Sequence, residues 1–228
     1  MRKMAFTLAE VLITLGIIGI VAALTMPALL GNYRKVQTVT QLKKMYSAMH
    51  QSIQMAQNEY GDIVDWDWTL NSDEFFQKYL SLNFSVLKNC GQGEGCWNKD
   101  GGFLLGGYKY TDAPSFAAGG IASKISLSDG TYIALIKQDN NHIHIHVDVN
   151  GDKRPNTYGI DIFVMTLTLK EYSDYAHNIP VAGLYMFGHG LTRNDVKSTG
   201  CDKNKSGFTC GELILMDSWD IRNDYPWK

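Results

Sequence analysis

Proline is scarce in this chain, with 5 in 228 residues, and no Pro- or Ser-rich stretch interrupts it from Gly61 onward. A flexible linker is therefore excluded there, and about 170 residues are enough for one globular core without a second domain. Neither sign of charge dominates: the formal net charge is −2. No basic cluster stands outside the flanks of the N-terminal apolar segment, so nothing favours a nucleic-acid footprint. Catalytic signatures are missing as well. Gly91-Gln-Gly-Glu-Gly95 has neither the Lys-Ser/Thr nor the strand-turn-helix setting of a phosphate loop, and there is no Gly-x-Ser-x-Gly elbow and no His-Glu-x-x-His. Enzymatic function has no motif behind it.

Charge is also missing where it matters most. Residues 6–30 read FTLAEVLITLGIIGIVAALTMPALL, and no charged side chain occurs between Glu10 and Arg34. The 20 residues from Val11 to Leu30 rise about 1.5 Å each as a helix, which spans the roughly 30 Å hydrocarbon layer of a bilayer. A cleaved secretory signal has a shorter apolar core of about 7–15 residues, so a retained anchor is expected. Basic residues flank both ends, Arg2 and Lys3 before it and Arg34, Lys35, Lys43 and Lys44 after it, so loop charge alone does not orient it. The one carboxylate inside this setting, Glu10, is the first residue to explain, because an unpaired buried carboxylate costs several kcal/mol.

The leader MRKMA followed by FTLAEVLITLGIIGIVAAL resembles the N-terminus of type IV pilins and of the pseudopilins of type II secretion. The resemblance implies cleavage by a membrane prepilin peptidase between Ala5 and Phe6 and methylation of the new Phe6 amine. Glu10 then becomes the fifth mature residue, the position where the family carries its Glu. Ala5 stands where the family usually has Gly. The spacing has its own physical sense: a carboxylate in apolar surroundings requires a cation, and cleavage creates one. In a helical stack, Glu10 of one subunit meeting the Phe6 amine of the next would fix axial register. The alternative is a Glu10 that snorkels to the headgroups of an ordinary signal anchor.

Pro27 within the helical pattern predicts a kink or local melting. Gly16 and Gly19 either admit close helix packing or face lipid loosely. Beyond the anchor, Val39, Leu42, Tyr46, Met49, Ile53, Ala56 and Tyr60 recur in steps of three and four, an apolar stripe that predicts continued helix over 31–60 packed on the chain's own sheet rather than in a coiled coil. Gly61 is placed to end it. The expected layout is leader 1–5, membrane or filament-core helix 6–30, amphipathic continuation 31–60 and a globular domain 61–228.

In that domain, residues 73–82 predict a short helix capped by Ser72 or Asp73. Residues 131–137, 143–149, 160–169, 181–187 and 212–216 predict short strands. The fold class is therefore α+β, a long N-terminal helix packed on an antiparallel sheet, which is also the architecture the pilin resemblance implies. The four cysteines fall into two close groups, Cys90 with Cys96 and Cys201 with Cys210. Two local disulfides in an oxidising compartment suit this spacing; a four-thiolate zinc site or crossed connectivity remain open alternatives.

The segment DVNGDKRPNTYGID places Asp148, Asn150 and Asp152 around Gly151, with Asp161 beyond. Hard oxygens at positions one, three and five suit calcium, but the twelfth position from Asp148 is Gly159 and not Glu, so an EF-hand is not satisfied. The pilin resemblance implies calcium here, since major pseudopilins bind it; the residues themselves favour a turn in which Asp148 and Asn150 accept backbone N–H bonds. His142, His144 and His146 alternate with apolar residues and share one strand face. A solvated face is the expected explanation, with a zinc site or a catalytic base the alternative. The C-terminal aromatics Trp219, Tyr225 and Trp227 are expected to dock on the core, with a partner surface as the alternative.

Taken together the expectation is a pseudopilin or minor pilin, not an enzyme, held as a single-pass inner-membrane protein with a periplasmic domain before it enters a filament. Its partners would be other pilin-like subunits, prepilin peptidase, an inner-membrane assembly platform and membrane lipid. The competing expectation is a signal-anchored periplasmic enzyme or metal-binding protein that uses the His142, His144 and His146 strand.

Overall fold

The computed structural model describes residues 7–99, 101–110 and 122–227. The expected cleavage pair, Ala5 and Phe6, lies outside the described residues. The first helix, α1, runs Leu8–Tyr60. It is unbroken across Pro27, so the local melting expected there does not occur. The chain divides into two compact units, Met1–Gln37 and Thr38–Lys228, and α1 contributes to both.

In the first unit the apolar side chains of α1 stand exposed, among them Leu12, Ile17 and Leu24. Among the described residues, nothing beyond the helix itself lies within 4 Å of where a Cβ would stand on Gly16 or Gly19. This part of α1 is the one helix among the described residues that is long and apolar enough to cross a membrane, with a mean hydropathy of 2.3 over its most apolar window. It is a candidate membrane anchor.

In the second unit most of the stripe behaves as its spacing requires: Val39, Leu42, Met49, Ile53 and Ala56 are buried, joined by Met45, while Tyr46 is half-buried and Tyr60, at the end, is exposed. Gly61 ends the helix at a positive φ of 83°, with its N–H on the Gln57 carbonyl, the arrangement glycine adopts without a Cβ penalty. A short helix α2, Ser72–Phe75, follows and continues as a π-turn over Phe76–Leu80. Its cap is Asn71, one residue ahead of the expected Ser72 or Asp73. The Asn71 side chain accepts from Asp73 and Glu74 N–H at 3.0 Å each, and Glu74 accepts the Asn71 N–H at 3.2 Å. The reciprocal pair satisfies donors at both ends of the first turn.

Six strands form one antiparallel sheet: β1 Val86–Gly91, β2 Ser123–Leu127, β3 Tyr132–Lys137, β4 His142–Asp148, β5 Ile162–Thr168 and, last in sheet order, β8 Gly183–Met186. A separate two-stranded hairpin, β6 Tyr172–Ser173 with β7 Asn178–Ile179, lies between β5 and β8 in sequence. Two short helices follow, α3 Arg193–Thr199 and α4 Cys210–Met216. The expected strand over 212–216 is thus a helix. Glu212, Leu213 and Ile214 are all buried in succession, a pattern that a helix and a strand covered on both faces share.

Both faces of the sheet are covered. Ile143, Ile145 and Val147 of β4 and Phe163, Met165 and Leu167 of β5 face the α1 side, in one core with Leu42, Met49, Phe75 and Tyr79. The opposite faces of the same strands join a second cluster of Trp97, Tyr158, Ile162, Val164 and Phe187. Two-sided burial explains why β5 is buried along its whole length and carries only two polar residues, Thr166 and Thr168, rather than alternating.

The disulfides pair locally, Cys90 with Cys96 and Cys201 with Cys210, and no free cysteine remains. Thiolate ligation of zinc is thereby set aside, and two disulfides fit an extracytoplasmic domain. The C-terminal aromatics dock on the core: Tyr225 is buried with its hydroxyl donating to the Gly159 carbonyl at 2.5 Å, and Trp219 and Trp227 pack against the α1-side cluster.

Candidate functional site

Glu10 sits in the first turn of α1 and makes a capping box with Thr7. Its carboxylate accepts from the Thr7 N–H and hydroxyl, both at 2.8 Å, and the Thr7 hydroxyl oxygen accepts the Glu10 N–H at 3.2 Å. The Thr-x-x-Glu spacing was present in the sequence as a helix-start signal. Within a single chain, therefore, Glu10 already holds two donors at the helix N-terminus, where a negative charge also complements the helix dipole. The arrangement leaves the carboxylate exposed and at the end of a helix with no other charge before Arg34.

The Asp/Asn segment folds into a buried turn after β4. Asp148, Asn150 and Asp161 come together, and Asp152 does not join them: it accepts the Tyr132 hydroxyl at 3.0 Å instead. Asp161 accepts from the N–H groups of Asn156 at 2.9 Å and Thr157 at 2.6 Å and from Asn150 Nδ2 at 3.2 Å. Asp148 accepts the Asn150 N–H at 3.1 Å. Burial, then the Asp161 carboxylate, push Asp148 up to about 8, and burial pushes Asp161 up to about 6 against the hydrogen bonds it accepts.

The donor type in this turn is hard oxygen, and Asn150 Oδ1 is buried without a partner, which a calcium ion could use. A competing donor occupies the middle, however. With its amide turned so that nitrogen faces the surrounding acceptors, Asn156 donates to the Gly151 carbonyl at 2.9 Å, the Lys153 carbonyl at 3.0 Å and Asp148 Oδ2 at 3.2 Å. Asn156 holds φ at 52°, a left-handed conformation that asparagine tolerates better than most residues. Among the described residues no group of three or more His, Cys, Asp or Glu side chains could hold a metal ion. The loop's oxygens thus face an amide from the chain itself; Asp148 accepts a backbone N–H as the turn reading requires, and Asn150 Oδ1 does not. Sequence reasoning stopped at Asp148, Asn150, Asp152 and Asp161 and missed Asn156.

The histidine face is not solvated, contrary to expectation. His142 and His146 are buried, and the His144 ring stacks beside His177 and meets the edge of Phe187. His146 Nδ1 hydrogen-bonds the buried Tyr158 hydroxyl at 2.9 Å. His177, from the β6–β7 hairpin, bridges Thr166 Oγ1 at 3.1 Å and Asp174 at 3.0 Å. His142 stacks on Tyr172, with Nδ1 3.1 Å from Asp139. Burial lowers His146 to about 3, and burial followed by the neighbouring histidines lowers His144 well below the usual imidazole value. The face is therefore packed, and burial favours the neutral ring at His144 and His146. The strand alternation correctly placed the three rings together; the second layer that covers them comes from segments with no regular pattern.

Two polar arrangements near the C-terminus carried no sequence signal. Arg193 makes a fork onto Asp217 at 2.7 and 2.9 Å and a second onto Asp224 at 2.8 and 2.9 Å, tying α3 to the chain's end. Glu212, buried on α4, lies 3.2 Å from His189, and burial pushes it up to about 7. Its Oε2 has no hydrogen-bond partner. Both pairs join residues more than 20 positions apart, beyond the reach of local patterns.

The class these features define is an α+β protein with a disulfide-bonded domain on a long helix whose first part is a candidate anchor. The chain belongs to a family of unknown function, DUF6613, whose model matches residues 28–228. Glu10 and most of the apolar segment precede the matched range. No curated protein and no solved structure was found to match the chain.

Proposed function

We propose that the chain is a type IV pilin-like subunit, a pseudopilin or minor pilin, anchored in the inner membrane, processed by prepilin peptidase between Ala5 and Phe6, and assembled into a filament through α1. The observation that carries the proposal is Glu10: a lone carboxylate at the head of a helix that is otherwise uncharged up to Arg34 and whose apolar side chains stand exposed in the single chain. Isolated apolar surface of this extent calls for lipid or for other copies of the same helix. A carboxylate at its head gives such copies a reason to choose one axial alignment, provided a cation meets it. The Phe6 amine created by cleavage supplies that cation at the right end of a neighbouring helix.

The disulfide-bonded domain fits the periplasmic side, where oxidation is available. The alternative of an anchored enzyme using His142, His144 and His146 would have to use rings packed into the second layer, with His146 held by Tyr158 and His142 stacked on Tyr172.

Mass spectrometry of the protein from a host with prepilin peptidase tests the first half of the proposal. The expected N-terminus is Phe6 carrying one added methyl group; an unprocessed Met1 terminus in that host overturns it. Glu10→Ala tests the second half. It is expected to reach the membrane normally and to be lost from sheared filaments.

A further inference from the structure

The second face of the sheet holds a cavity of about 180 Å³ between β4, β5 and the layer that covers them. Its aromatic walls are Tyr110, Tyr175, Phe187 and Phe208. Its polar groups are Gln138, His144 and His146, and among the described residues none of the side chains lining it carries a fixed charge. His146 is engaged with Tyr158. His144 differs: its Nε2 is buried and has no hydrogen-bond partner. A buried ring nitrogen left without a partner costs about 1–3 kcal/mol, so native proteins rarely keep one without a reason.

We propose that this cavity binds a small neutral aromatic compound carrying a hydroxyl group, a phenol-class ring held among Tyr110, Tyr175, Phe187 and Phe208 with its hydroxyl on His144 Nε2.

Size, wall chemistry and the unpartnered nitrogen each narrow the ligand. A dry cavity of roughly 150 Å³ is known to admit a benzene ring, so 180 Å³ takes a single six-membered ring and one or two further atoms. Aromatic walls favour a flat ring through stacked and edge-on contacts. A described lining without a charged residue disfavours carboxylates, phosphates and amines, which would meet no counter-ion there. A hydroxyl both donates and accepts, so it satisfies His144 Nε2 in either neutral tautomer. Tyr175, 82 % exposed while lining the cavity, stands at the solvent side and marks the way in. The same chemistry could arrive as a free phenolic molecule or as a tyrosine side chain of a peptide. This inference does not depend on filament assembly, and its test does not involve filaments.

The test uses the full chain in detergent micelles, with histidine ring nitrogens labelled and free probe concentrations fixed by dialysis. The probes are 4-fluorophenol, fluorobenzene and N-acetyltyrosinamide. The expected result is a saturable shift of the His144 ring resonances with 4-fluorophenol, at a dissociation constant roughly fivefold lower than for fluorobenzene, as one net hydrogen bond provides. His144→Phe is expected to bring the two constants to about the same value while fluorobenzene still binds. Should that core variant fail to fold, Tyr175→Ala at the exposed wall keeps the proposal testable: it weakens both probes and leaves their ratio unchanged. Binding of N-acetyltyrosinamide as well assigns the ligand to a peptide side chain, and binding of 4-fluorophenol without it assigns a free molecule; both support the site. The proposal is overturned if neither fluorinated probe perturbs His144, or if the two bind with equal constants in the unaltered protein.

Discussion

The two parts of α1 share one secondary structure and have opposite surroundings. In the first unit Ile17 is 58 % exposed, and in the second Leu42 is fully buried. Helical spacing does not separate them; the arrangement of polar residues does. Between Glu10 and Arg34 apolar residues cover every side of the helix, whereas from Val39 onward they keep to one stripe with Gln, Lys and Ser between. A helix apolar all round demands a surrounding medium of lipid or other helices, and a striped one demands a single facing layer. The globular unit provides that layer for the second part.

The sharpest way to break this contrast is to make the same kind of deletion in each part. Leu42→Ala is expected to lower the stability of the globular unit by about 3 kcal/mol, through lost transfer energy and an unfilled cavity. Ile17→Ala is expected to leave that unit's unfolding within about 0.5 kcal/mol of the unaltered protein. Chemical denaturation followed by tryptophan fluorescence measures both, since all five tryptophans lie beyond Tyr60. Equal losses would mean that the two parts of the helix are not energetically distinct.

A second difference is that the globular unit buries acids and the anchor segment does not. Burial raises Glu212 to about 7 from an ordinary value of 4.5. The fold thus prefers the protonated form: the stabilisation is complete below about pH 4.5, declines as pH rises, and is gone above about pH 7. Its full amplitude is on the order of 3 kcal/mol by linkage. His189, lowered by burial, opposes this trend at the acidic end. Glu212→Gln, which cannot titrate, should flatten the fall in melting temperature between pH 5 and 7.5; an unchanged slope would place the pH dependence elsewhere.

The turn after β4 gives a smaller effect. Asn156→Ala removes the amide that gathers the Gly151 and Lys153 carbonyls and Asp148, and about 2 kcal/mol of stability should go with it. Millimolar calcium should leave the melting temperature of the unaltered protein in place. Asn156→Asp exchanges that donor for a third carboxylate and should make the melting temperature rise with added calcium. A rise in the unaltered protein would restore the cation reading of this loop.

Legibility in the sequence followed how far each feature depends on neighbours in the chain. The stripe from Val39 to Ala56, the strand alternation of β4, the strand composition of β3 and both cysteine pairs are local patterns, and each has its counterpart in the fold. Glu212 to Met216 did not yield to the same reasoning because a five-residue apolar run suits a buried strand and a buried helix equally. Its outcome depends on the Cys201–Cys210 bond and on packing against Met186 and Phe163, close to Gly211. β1 escaped notice because it is an edge strand, largely exposed and interrupted by register shifts, so it lacks alternation. The histidines were placed on the correct shared face and misjudged in exposure, since their cover comes from Phe187, Phe208 and the β6–β7 hairpin, which no spacing rule connects to His144.

The smallest expected change in stability carries the most weight for function. Glu10 has two roles open to it: it caps α1 through Thr7, and in the proposed filament it meets a neighbour's Phe6 amine. Glu10→Gln separates them, because glutamine at the third helical position also completes a capping box while carrying no charge. The unfolding of the globular unit should not move by more than about 0.5 kcal/mol, since Glu10 lies outside its core. If charge pairing sets the register, the Gln variant should be as deficient in sheared filaments as Glu10→Ala. If capping is the whole of its role, Gln should assemble like the unaltered chain while Ala does not. The expected outcome is the first: an exposed cap contributes about 1 kcal/mol, whereas a charge left unpaired in an apolar stack costs several.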